Sequence, residues 1–315
     1  MPASLKNQSY TIDQFAGCII GGAIGDAYGV QYENQEIQKP AENLFLWGEI
    51  KEKRNYFITD DTQLTLATCE CILEEGKVDP ASMAQKFASW YKQGKLRGLG
   101  SATLQAIQGI RNGGHWYLVG KKGEQAAGNG SAMRIAPLAF VQKELDRSMI
   151  QSISRITHHN DEAYAGSLAV VFAIQDVLKH GQQSPESWLK KIVGELPDTL
   201  VRDRVKAFSK LTKGESLTSI GEKFGKGGYV VESVPLALFG VAKSWEIGFE
   251  VAIEEMIKLG GDADTNAALM GQVAGAARGL HKLPLSMRSK IESLDEYPEI
   301  KKIISDWGKY MLANP

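Results

Sequence analysis

The chain has 315 residues, 43% of them hydrophobic and 23% charged, which excludes a disordered, collagen-like or disulfide-stapled protein and leaves room for one large core at ~150 residues per typical domain. Its 36 Lys and Arg stand against 37 Asp and Glu, a formal net charge of -1. No global basic field exists to hold nucleic acid or an anionic membrane, so an anionic ligand must be bound locally.

The N-terminal Met1 to Asp13 is polar and lacks an apolar signal core, and no later stretch reaches ~18 uninterrupted apolar residues, so neither secretion nor membrane spanning is expected. Gly21, Gly25 and Gly29 recur every four residues and leave one smooth helix face. Glycine there costs about 1 kcal/mol relative to alanine, so close packing or ligand approach is the expected reason. From Thr59 to Glu75, Leu64, Ala67, Cys71 and Ile72 recur at three- and four-residue steps behind the capping residues Thr59, Asp60 and Asp61. Asp79-Pro80 is a cap with a first-turn proline, opening a helix that carries Met83, Phe87 and Trp90.

Further helices are marked by Leu168, Phe172 and Val177, by Val234, Leu238 and Val241, and by Leu269, Val273 and Ala277. Residues 227–231 form the best short alternating run. The segments 32–55, 115–125 and 213–228 read as loops, none long enough to separate two domains. The pattern predicts one all-α domain over residues 1–315. Cys18, Cys69 and Cys71 are an odd count in apolar stretches, which suits reduced core thiols in a cytoplasmic protein. Cys69-Glu70-Cys71 has neither the second pair nor the spacing of a zinc site.

Two acidic clusters carry the chemistry. Ile58-Thr59-Asp60-Asp61-Thr62 and Gly260-Gly261-Asp262-Ala263-Asp264-Thr265 each set two carboxylates and neighbouring hydroxyls at the head of an apolar helix, where unpaired amides favour anions. A cap needs one side chain, so either cluster alone reads equally well as capping. Brought together, four carboxylates without a lysine or arginine in either motif need a cation between them, and an oxygen-only donor set selects magnesium or manganese.

Three other segments would surround such a centre. Gly128-Asn129-Gly130-Ser131-Ala132-Met133-Arg134 sets small residues before a predicted apolar helix, so backbone N–H groups can approach a phosphate or ribose. Thr157-His158-His159 precedes a helix, and a histidine there can donate to a phosphate; a lone histidine is more often structural. Glu33 follows the glycine-rich helix, where a solvated surface glutamate is the ordinary case.

Together these motifs, with Gly21 to Gly29 and Glu33, occur in order from about residue 15 to 279, and the chain resembles the ADP-ribosylglycohydrolases, most of all bacterial members similar to the dinitrogenase-reductase-activating glycohydrolase. The resemblance implies a compact orthogonal all-α fold with a binuclear magnesium or manganese centre under an ADP-ribose cleft. It implies metal ligation by Thr59, Asp60, Asp61, Asp262, Asp264 and Thr265. Contacts to ADP-ribose fall to Gly98, Gly100, Gly128, Asn129, Gly130, Ser131, Met133 and His158, with Ser131 standing where many relatives have glycine. Glu33 is placed over the scissile bond, and Asp60 or Asp61 competes with it as general base. Asp26 is expected behind the metal ligands.

The activity implied is removal of ADP-ribose from a modified protein side chain, arginine first, with serine-linked or small ADP-ribosyl compounds, or a non-catalytic ADP-ribose binder, as alternatives. A cytoplasmic monomer without membrane or nucleic-acid partners is expected.

Overall fold

Thr11 opens the first helix with a reciprocal cap: its hydroxyl accepts from the Gln14 amide at 3.2 Å, and the Gln14 side chain accepts from the Thr11 N–H at 2.9 Å. The structure, a computed structural model, describes residues 10–33, 56–141 and 146–313. The helices are α1 (Ile12–Gly29), α2 (Asp60–Glu75), α3 (Pro80–Lys92), α4 (Ser101–Arg111), α5 (Trp116–Val119), α6 (Arg147–Arg155), α7 (Asp161–His180) and α8 (Pro185–Glu195). They continue with α9 (Leu200–Ser209), α10 (Leu217–Phe224), α11 (Val230–Ile247), α12 (Phe249–Lys258), α13 (Ala263–Arg278), α14 (Leu285–Glu292) and α15 (Tyr297–Ala313). The expected all-helical body is present, and each acidic cluster heads its helix. Asp79 caps α3 as its sequence predicts, accepting from the Ser82 amide at 2.8 Å.

The centre of the fold is the pairing of α1 with α13, flanked by α7, α11 and α12. Gly17, Gly21 and Gly25 of α1 lie directly on the backbone of Gly275, Gly271 and Ala267 of α13, and a Cβ on any of the three would come closer than 3.0 Å to a carbonyl oxygen across the seam. Gly29 meets Asp264 in the same way. The four-residue glycine spacing therefore serves helix packing. Around this seam the core closes with large rings: Phe15 stacks on Trp307 with centroids 4.2 Å apart and meets the edge of Phe140 at 5.1 Å.

Several expectations are corrected. Among the described residues there is one small parallel ladder, in which β1 (Lys121–Lys122) pairs with β2 (His158–His159), too short for any alternation to show in sequence. The run 227–231 is not a strand: Tyr229 makes a single bridge to Gly128, and Val230 already begins α11. Within the expected loop 213–228 lies α10, capped by Ser216 and held by buried Leu217 and Ile220. The loop 115–125 contains α5 and β1. No α-helix follows residues 128–134; short 3₁₀ turns run through 129–131 and 136–140, the second carrying Pro137, which lacks an N–H to donate. Most of the expected loop 32–55 lies outside the described residues. The three cysteines are free and buried, and among the described residues no helix is long and apolar enough to cross a membrane.

Candidate active site

The heads of α2 and α13 meet at the floor of a cleft of about 390 Å³. Thr59, Asp60 and Asp61 enter from α2; Asp262, Asp264 and Thr265 enter from α13. The start of α13 is fixed by Lys226, whose carbonyl accepts from the Asp262 N–H at 3.0 Å and from Asn266 Nδ2 at 2.8 Å. Gly261 makes this possible: its φ of +68° is costly for other residues, and a Cβ would lie 2.9 Å from Lys226 Cγ.

Asp26, fully buried in α1, organises the other side. Its carboxylate accepts from the backbone N–H and hydroxyl of both Thr59 and Thr62. A carboxylate has about four lone-pair sites, so these four donors fill it. Thr265 Oγ1 then donates to Asp61 Oδ2 at 3.1 Å, joining the two clusters across more than 200 residues of chain, while Asp61 Oδ1 is buried without a partner among the described residues. Carboxylate oxygens of Asp26, Asp61 and Asp264 lie within 4.8 Å of one another, and so do those of Glu33, Asp262 and Asp264, with Asp264 common to both groups.

Burial, then the charge of Asp262, pushes Asp264 up to about 8, and burial, then Asp26, pushes Asp60 up to about 7. Asp61 is raised well above the usual carboxylate range by burial and then Asp264. Such crowding disfavours ionisation of the whole set, and a divalent cation among these oxygens relieves it. The orphaned Asp61 oxygen and the all-oxygen donor set fit a hard divalent cation.

The walls are glycine-rich. Gly98, at φ +82°, passes so close to the floor that a Cβ would lie 3.2 Å from Asp60 Oδ1. Its segment is tethered by the Arg97 N–H, which donates to Gln63 Oε1 at 2.9 Å. Asn129 Nδ2 donates to Asp262 Oδ2 at 2.6 Å and to Ser233 Oγ at 3.0 Å, tying the 128–130 turn to the acidic floor. Gly100, Gly128, Gly130, Met133, His158 and, at the exposed rim, Glu33 complete the lining named from sequence. His158 is buried, and burial followed by the charge of Arg134 pushes it down to about 3, so its imidazole is neutral at pH 7.

Ser131 is a correction. Its side chain is fully buried behind the turn, with Oγ 3.0 Å from the hydroxyls of Ser154 and Ser167, so it props the loop instead of lining the cleft. Sequence reasoning missed Ser101, Thr103, Gln125, Gly227 and Gly228 in the wall. Only the Gly227-Gly228 pair carried a signal, as a glycine turn entering an apolar helix.

An all-helical body thus carries a carboxylate floor under a glycine-walled cleft. A family model for ADP-ribosylglycohydrolase matches residues 7–313. The chain is 29% identical over 290 residues to the ADP-ribosylarginine hydrolase Tri1 of Pseudomonas putida, spanning 89% of this chain and 74% of that one. It is 26% identical over 339 residues to ADP-ribosylhydrolase ARH3 of Danio rerio, spanning 94% and 90%. A solved structure described as an ADP-ribosylglycohydrolase-related protein complex superposes with a TM-score of 0.71 at 27% identity, covering 95% of this chain and 98% of that one. The chain belongs to the ADP-ribosylglycohydrolase family and is a glycosidase-type enzyme acting on ADP-ribosylated substrates.

Proposed function

We propose that the enzyme hydrolyses the N-glycosidic bond between ADP-ribose and a protein arginine, using two divalent cations, magnesium or manganese. The observation that carries this reading is the convergence of both acidic helix heads on the floor of one cleft whose glycine wall holds a neutral histidine. The arginine linkage draws on the likeness to Tri1, named an ADP-ribosylarginine hydrolase.

Thr59, Asp60, Asp61, Asp262, Asp264 and Thr265 would hold the cations; Asp26, already filled by four donors, anchors them from behind. The cations would orient the ribose hydroxyls and lower the pKa of a bound water. The protein's own groups do the rest. Breaking the ribosyl C1–N bond develops positive charge on the sugar ring, which the carboxylate floor stabilises. Glu33 or one of Asp60 and Asp61 takes a proton from water as its oxygen bonds to C1 and the C1–N bond breaks, and that carboxyl then passes the proton to the departing guanidine nitrogen. The backbone at Gly98, Gly100, Gly128 and Gly130, with Asn129, Met133 and His158, would hold ADP-ribose.

The chain works as a single domain in this reading. The deciding experiment is a turnover assay that follows release of free ADP-ribose from arginine-linked and serine-linked substrates with each metal. Faster release from arginine supports the proposal; release from serine alone replaces it.

A further inference from the structure

Arg134 is fully buried, and among the described residues no carboxylate lies within ion-pair distance of it. Its guanidinium lies over the Phe87 ring, 5.0 Å from the centroid, donates through one terminal nitrogen to the Gly130 carbonyl, and donates through the other to Thr157 Oγ1 at 2.7 Å. Thr157 is also fully buried, and its hydroxyl oxygen lies 2.7 Å from His158 Nδ1. Burying a charged side chain here is costly, and the two hydrogen bonds and the aromatic ring offset part of that cost.

The direction of the chain follows from the donors. An arginine has no acceptor, so Thr157 Oγ1 must accept from Arg134. The one hydroxyl proton of Thr157 then needs an acceptor, and among the described residues only His158 Nδ1 is within reach. A proton on Nδ1 would leave that hydroxyl buried and unsatisfied, at a cost larger than a typical hydrogen bond contributes. We infer that Arg134 and Thr157 are positioning residues that lock His158 in the tautomer protonated at Nε2, so that the cleft wall offers a neutral N–H donor to the diphosphate of ADP-ribose. Nε2 sits beside the bare Cα atoms of the turn: a Cβ on Gly128 would lie 3.1 Å from it, and one on Gly130 3.4 Å. The same guanidinium holds the Gly130 carbonyl, which fixes turn and donor to one frame.

This inference rests on the reading of the cleft as the ADP-ribose site, and its test separates the two. Nitrogen NMR of histidine-labelled, ligand-free enzyme, with His158 assigned through His158→Gln, should show Nε2 protonated and Nδ1 bare. Thr157→Val, which keeps shape but removes the hydroxyl, should move that population toward the other tautomer and weaken ADP-ribose binding roughly ten-fold by calorimetry. Thr157→Ser should restore both. A wild-type His158 protonated at Nδ1, or a tautomer unmoved in Thr157→Val, overturns the lock whatever the ligand does. A tautomer that moves while ADP-ribose affinity stays constant overturns the role of His158 in the cleft and leaves the lock standing as a structural device.

Discussion

Both carboxylate oxygens of Asp26 accept from the backbone N–H of Thr59, at 3.1 and 3.0 Å, and Oδ1 also takes the Thr59 hydroxyl at 2.8 Å. The residue that opens α2 is thus fixed by a side chain from α1, and the direction of Asp60 and Asp61 follows from it. Asp26→Asn would turn an NH₂ group toward these donors and leave buried groups unpaired. It should lower stability by roughly 2–4 kcal/mol, read from the denaturant midpoint, and reduce turnover with it. An unchanged midpoint would remove Asp26 from this organising position.

Crowded, buried carboxylates would be relieved by a bound cation. Chelation should abolish ADP-ribose release, and magnesium or manganese should restore it. The same cations should raise unfolding stability by about 2.7 kcal/mol per occupied site at a hundred-fold excess over its dissociation constant. Because Asp264 belongs to both carboxylate groups, Asp264→Asn should erase the metal-induced rise in melting temperature. Full activity in protein shown to be metal-free would contradict this.

Glu33 stands at the exposed rim, with its carboxylate grouped with those of Asp262 and Asp264. Glu33→Gln keeps its shape and loses its basicity, so turnover should fall by ~10²- to 10⁴-fold while ADP-ribose affinity is retained. A wild-type rate would transfer the role of general base to Asp60 or Asp61.

Two glycine substitutions should move stability in opposite directions. Gly21→Ala drives a methyl group into the Gly271 carbonyl across the α1–α13 seam, where backbone cannot yield, and should cost about 1–3 kcal/mol or prevent folding. Gly194→Ala, at an exposed position of α8 with nothing within 4 Å of the new Cβ, should gain about 0.4–1 kcal/mol. Chemical denaturation of both variants checks the pair; a Gly21→Ala protein as stable as the unaltered one would mean that the seam tolerates separation.

His158, pushed down to about 3 by burial and the charge of Arg134, gives a pH signature. Between its ordinary value near 6.5 and about 3, the unfolded chain binds a proton that the folded one refuses. Its effect is therefore absent above about pH 6.5 and becomes a loss of stability as pH falls, approaching ~1.4 kcal/mol per pH unit. His158→Gln should flatten that part of the stability profile. Parallel profiles for the two proteins would show that the imidazole titrates normally.

The parts of the site that sequence made legible are those with local signatures. Asp60, Asp61, Asp262 and Asp264 sit where helix-capping chemistry puts them, and the spacing of Gly21, Gly25 and Gly29 announced a flat face. Long-range partners left no local trace. Nothing near Asp26 names Thr59 and Thr62 as its donors, and Ser131 looks the same in sequence whether it faces ligand or core. Nothing in the sequence shows that Arg134 is enclosed by Phe87, Gly130 and Thr157. The α10 helix was missed because eight residues amid glycines and lysines hold too few apolar positions to show a period.

The glycine seam also sets an order of events during synthesis. α1 leaves the ribosome long before α13, yet the backbone it must lie against ends at Arg278. Until then its bare face has no mate, and Asp61 has no Thr265 to meet. Any product terminated before α13 therefore lacks both half of the acidic floor and the surface that seats the other half. The nascent protein is inert until α13 has been made, and a lesion that shortens it anywhere upstream of Ala263 should yield not a weakened enzyme but a chain for the cell's proteases.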